Sequence, residues 1–302
     1  MLEVTLDIFS GLENPSWVLS DEEEKELVDR IEANRGMMVP VSADTGGLGY
    51  RGYIVSTLSE DDGAATKAGL PSLFKVGGAN DLDQAAALWL LDTSQKVDST
   101  IDDQVRSYAQ GLIVSPAPPE QPVEIPVEDT SLKLPAEPTP GFVTLDPPVI
   151  QPLAVCTLFL TTDVDFTFWN ASSFVLRNNC YNYASNYRTN TFAQPGRRSG
   201  RMYSRINCSE VGSAAVRDGY TAGCGNPLTL ATALVIAPGP GFVDYHWYRL
   251  CVRNHWCHKP GGTAARNYDN SGRWITDPRF CNRGPYTIFC GFYYARNPAN
   301  VR

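Results

Sequence analysis

Residues 1–150 of this 302-residue chain contain no cysteine and no histidine, and residues 151–302 contain a single lysine, Lys259. The first absence removes thiol and imidazole chemistry from the N-terminal half. No run approaches 18 consecutive apolar residues, so no membrane-spanning helix is expected. The N-terminal stretch Met1-Leu-Glu-Val-Thr-Leu-Asp lacks a basic region followed by an apolar core, and no cleavable secretory signal is expected. Charge is sparse, at 19%, while aromatics reach 11%, which excludes disorder throughout. There is no internal repeat, no glycine loop to cradle phosphate and no nucleic-acid recognition motif. No cofactor and no nucleic acid are expected as partners.

What is present is distributed unevenly. Residues 1–150 hold 9 Lys and Arg against 26 Asp and Glu, a net charge of −17. Residues 151–302 hold 16 against 7, a net of +9, and also all eight cysteines and all three histidines. The contrast predicts two modules. Between them lies a seam, residues 115–152, with 11 of the chain's 22 prolines. Proline fixes φ and removes a donor, so the seam reads as an extended linker, with Val123-Glu-Ile and Phe142-Val-Thr-Leu patches able to line a sheet edge.

The acidic module, 1–114, reads as α+β. Val4-Thr-Leu-Asp-Ile-Phe alternates as a strand does. Ser20-Asp-Glu-Glu23 has capping-box spacing ahead of a helix that buries Leu27, Val28 and Ile31. A second strand is expected at Gly52–Leu58, and a second helix over Asp81–Leu91 with Ala85, Leu88 and Leu91 in register. With no catalytic residue types, this module reads as a binding or regulatory unit. The Cys/Arg-rich module, 153–302, also reads as α+β with an antiparallel sheet. Strands are expected near Val155–Leu160, over Phe242–Leu250, at Trp256–Lys259 and in the tail from Tyr286. A helix is expected from Asn179 to Tyr187, and Leu228–Ile236 reads as a buried strand or short helix.

Chemistry centres on Asn178-Asn-Cys-Tyr-Asn-Tyr-Ala, which sets Cys180 at the start of the expected helix. There the positive end of the helix dipole favours a thiolate. His246, in Asp244-Tyr-His-Trp-Tyr-Arg, and His258, in Cys257-His-Lys-Pro-Gly, lie on strands that can pair. A nucleophile on a helix, a base on a strand and a polar group orienting that base are the parts of cysteine acyl transfer.

In the order and spacing of these parts, residues 175–262 resemble the papain-like cysteine amidases of the NlpC type, which cleave amide bonds in cell-wall peptides. The resemblance implies Cys180 as nucleophile, His246 as general base and His258 as its orienter. It also implies an oxyanion site at the Cys180 amide and the Asn179 side chain. With a turn at Arg253-Asn254-His255, His258 falls opposite Leu250, and only a register centred near Val252, or a bulge, joins the two histidines. Asp244, Asn267 and Asp269 are therefore held as further orienting residues.

A second account of the same residues stands beside this one. Eight cysteines in one module fit a disulfide-stapled scaffold. Cys251 and Cys257, flanking the expected turn, are the best candidate pair. If Cys180 is free, a second free thiol must exist. Cys251, His255, Cys257 and His258 lack the two-pair spacing of zinc sites, so no metal is expected. Arg197 and Arg198, in a Gly/Ser loop, can grip the carboxylates of a substrate or of an anionic polymer. The complementary charge of the two modules allows docking within one chain or association of copies into rings or filaments. Cysteine usage points to an extracellular or otherwise oxidising environment. The chain is thus expected to be a thiol amidase or a non-catalytic, stapled, self-assembling binding or structural protein.

Overall fold

In the computed structural model the described residues are 1–43, 46–58, 63–77, 84–96, 99–114, 142–145, 156–159, 166–222, 229–251, 255–296 and 298–302. Most of the proline-rich seam lies outside them.

The N-terminal half builds a five-stranded antiparallel sheet. It uses β1 (Leu2–Leu6), β2 (Ser16–Val18), β3 (Met38–Val39), β4 (Tyr53–Thr57) and β5 (Leu73–Val76) in the order β2-β1-β4-β5-β3. The capping box forms as its spacing requires. Ser20 Oγ accepts the Glu23 amide and the Glu23 carboxylate accepts the Ser20 amide, starting α1 (Asp21–Ala33), which buries Leu27, Val28 and Ile31. A short helix, α2 (Ala64–Lys67), and then α3 (Gln84–Asp92) and α4 (Asp103–Val114) follow. Helix α3 buries Ala86, Ala87, Leu90 and Leu91 rather than the expected Ala85-Leu88-Leu91 stripe. Its sequence is apolar almost all round, so periodicity alone could not select the inward face.

Within the seam, β6 (Phe142–Leu145) pairs antiparallel with β7 (Cys156–Phe159) as a separate two-stranded sheet. The C-terminal half then has helices α5 (Phe166–Asn170), α6 (Ser172–Val175), α7 (Cys180–Ala184) and α8 (Cys208–Arg217). Its sheet runs β11-β10-β9-β12-β8, all antiparallel, with β8 (Thr221–Ala222), β9 (Thr229–Pro238), β10 (Val243–Leu250), β11 (Trp256–His258) and β12 (Ile288–Arg296). The architecture is α+β. Helix α7 is shorter than expected, because Asn186 turns into the left-handed region at φ 52°.

Strand β9 explains how the halves are joined. It is the ambiguous Leu228–Ile236 run, and it is buried on both faces. Its small side chains, Ala231, Ala233 and Ala237, with Val235, pack in one cluster with Leu2, Val4, Leu6, Leu27 and Leu90 of the N-terminal half. Its Leu230, Leu234 and Ile236 pack in a second cluster with Tyr181, Val211 and Trp247. Each fully buried aliphatic side chain stabilises by about 1.5–3 kcal/mol, whereas an exposed ion pair contributes about 0–1 kcal/mol. The halves expected as distinct modules therefore share a core, and apolar burial rather than net charge dominates their contact.

Candidate functional site

The β10–β11 hairpin pairs Tyr248 with His258 and Leu250 with Trp256. The partner of His258 is thus displaced by two residues from Leu250, the position the expected turn set opposite it. Because side chains alternate along a strand, His246 and Tyr248 share a face, and His246 becomes the diagonal neighbour of His258. Their rings meet, with His246 Nε2 3.0 Å from His258 Nδ1, and both side chains are buried. His258 Nε2 lies 3.0 Å from the Tyr268 carbonyl oxygen, which can only accept. That contact assigns the tautomers of a neutral pair: His258 Nε2–H donates to Tyr268, and His246 Nε2–H donates to His258 Nδ1. His246 Nδ1 is then a buried lone pair without a hydrogen-bond partner among the described residues. Burial holds the His258 pKa down to about 3, and burial together with His258 holds that of His246 well below the usual range.

Cys180 belongs to the other side of the strand. It packs with Tyr181, Tyr245 and Trp247, whose side chains leave β10 opposite to His246. Its Sγ lies 4.0 Å from the Tyr245 carbonyl oxygen. Full burial, reinforced by the Asp244 carboxylate, raises its pKa well above the ordinary thiol value. A five-residue helix supplies too little dipole to reverse that. The structure thus brings His246 and His258 together and leaves Cys180 outside the pair, as a protonated thiol in an aromatic core.

Asn179 has no capacity left for an oxyanion. Its Oδ1 accepts the Tyr181 and Asn182 amides, each at 3.1 Å, and its Nδ2 donates to the Gly11 and Ala193 carbonyls at 2.8 and 2.9 Å. Arg197 donates to the Phe192 carbonyl, and Arg198 points into solvent. Asp244 is consumed by a nest of amides from Ser10, Gly11 and Leu12 and by the Tyr286 hydroxyl at 2.6 Å. Gly11 permits this approach, since a Cβ there would lie 2.6 Å from the Tyr245 ring. Asp269 closes a loop by accepting the amides of Ser271, Arg273 and Asn282, and the Asn267 carbonyl accepts the Ile275 amide. The residue in contact with His246 is His258, and the backbone carbonyl of Tyr268, between Asn267 and Asp269 in sequence, in turn fixes the His258 ring.

Disulfides join Cys251 to Cys257, as expected, and Cys208 to Cys290 across 82 residues. Cys180 and Cys281 are the free cysteines among the described residues, so the second free thiol that a free Cys180 requires is at hand. Burial pushes the Cys281 thiol up to about 12. Sequence reasoning missed the buried ionic cluster in which Asp7 bridges Arg51 and Lys75 at 2.6 and 2.9 Å and accepts from Thr263. The two cations hold Asp7 far below the usual carboxylate range despite its burial. Its one signal in the sequence is a charge between Leu6 and Ile8 in an apolar strand. Lys259 is likewise buried, with its ammonium donating to the Val175, Asn178 and Gly261 carbonyls. No helix among the described residues is long and apolar enough to cross a membrane.

No family model matches the chain, and no solved structure matches it. A curated relative does: insoluble matrix shell protein 1 of Ruditapes philippinarum is 52% identical over 127 residues, 41% of this chain and 83% of that protein. The chain belongs to that protein's family. In this family member the groups most suited to catalysis serve the packed interior, and disulfides tie the C-terminal half together.

Proposed function

We propose that the chain is a non-catalytic, disulfide-stapled structural protein of an extracellular matrix, assembling there with further copies or with other matrix polymers. The observation that carries this reading is the kinship with a protein named as an insoluble shell matrix component. The interior supports it. A thiol that burial holds protonated, packed on the strand face opposite His246, is poorly suited to the thiolate chemistry of amide hydrolysis. The two disulfides among the described residues favour an oxidising, extracellular place of work.

The test is fractionation of the extracellular material laid down by cells that make the chain, with antibodies against exposed peptides such as 196–205. The chain should remain with the residue left after salt and detergent extraction, and the purified oxidised protein should not hydrolyse peptide amides. Recovery in the soluble fraction, with an amidase activity that Cys180→Ser abolishes, would overturn the proposal.

A further inference from the structure

Two segments match the acceptor pattern for N-linked oligosaccharide, Asn170-Ala-Ser172 and Asn207-Cys-Ser209. Chance alone supplies such matches, so only geometry can separate them. A glycan replaces one hydrogen on Nδ2 and turns the side-chain amide into a secondary amide. Secondary amides keep their carbon substituents trans, so the sugar takes the position beside Oδ1.

At Asn170 that position is occupied. Oδ1 accepts the Ala265 amide at 2.6 Å, and Nδ2 donates to the Ala265 carbonyl at 3.0 Å. Pairing with both backbone groups of one residue uses the N–H that lies beside Oδ1, which is the hydrogen a sugar replaces. Glycan and native contact are mutually exclusive there. Asn207 is arranged differently. It is the N-cap of the ten-residue helix α8, and its Oδ1 accepts the Glu210 amide at 2.9 Å. Capping uses the oxygen and spares the nitrogen, so a substituent on Nδ2 leaves the cap in place. Asn207 is half-buried, as are Ile206 and Cys208 beside it, and Arg205 and Ser209 beyond them are exposed. Cys290, the partner of Cys208, follows 82 residues later, so the acceptor is open on the growing chain before that disulfide can close.

We infer that Asn207 carries an N-linked oligosaccharide and that Asn170 does not. The inference rests on the extracellular reading above, because the modification belongs to the secretory route. The full chain, expressed in animal cells behind a cleavable leader, should leave the cell with one glycan. Enzymatic release in heavy-oxygen water should mark position 207 and leave 170 unmarked. Ser209→Ala removes the acceptor pattern but keeps the cap, and it should abolish the mobility shift without loss of secretion. Asn207→Gln should also abolish the shift, whereas Asn170→Gln should not affect it. A secreted chain with intact disulfides and a bare Asn207, or with sugar on Asn170, overturns the inference. A secreted chain glycosylated at Asn207 that stays out of the insoluble residue supports it and counts against the matrix role alone.

Discussion

The two faces of strand β10 lead into different interiors. On one, Tyr245 and Trp247 join Cys180 in an aromatic cluster under α7 and α8. On the other, His246 and Tyr248 face His258 and Tyr286, with the acidic half closing that side. Residues one position apart in sequence therefore live in different interiors. A thiol and an imidazole that a linear pattern places together are separated by the pleat of the strand between them.

The strongest way to break the histidine side is at its ionic support. Asp7→Ala leaves Arg51 and Lys75 buried without their shared carboxylate and should cost about 3–5 kcal/mol in urea unfolding. On the thiol side, Asn179→Ala strips the cap of α7 and takes the side-chain donor from the Ala193 carbonyl, while the Gly11 carbonyl keeps Gln194 and Tyr245 as donors. The loss expected there is about 3 kcal/mol.

Proton linkage distinguishes the faces without a mutation. His258 has a native pKa lowered to about 3, below its unfolded value, so the unfolded chain binds the proton first as pH falls. Its contribution is complete above about pH 6.5 and is lost progressively toward pH 3. Between pH 7 and 5 unfolding should become easier by about 2 kcal/mol from this group alone. Asp7 also loses stability in acid, but only below the ordinary carboxylate range, so the histidines act first. A flat stability profile from pH 7 to 5 would contradict the neutral pair. The smallest effect belongs to Cys180→Ala, which removes a buried group near the size of a methyl and should cost about 1 kcal/mol, measured in the same unfolding assay.

Much of the scaffold was legible because it follows local rules. The Ser20–Glu23 box, the alternation in β1 and the Cys251–Cys257 bridge are written in nearby residues. Helix α8 was not foreseen, although Asn207 followed by Glu210 is an N-terminal signal. The shared core was hidden by the charge contrast, since net charge is a property of surfaces and β9 joins the halves through alanines and aliphatics. At the candidate site, the meeting of the two histidines depended on where His258 falls in the hairpin register, opposite Tyr248 rather than Leu250. The group that fixes His258 is a backbone carbonyl, which no side-chain pattern announces. The polar residues held in reserve, Asp244 and Asp269, proved to satisfy backbone amides of distant or looped segments.

Alkylation of the native, oxidised protein, resolved by peptide mass at Cys180, tests the separation of thiol and imidazole most directly. Cys180 should react only as fast as unfolding exposes it, and slowly at and below pH 7, because the exposed thiol must still ionise. Rapid reaction of the folded protein, with a rate that has already levelled off below pH 7, would show an activated thiolate and contradict that separation.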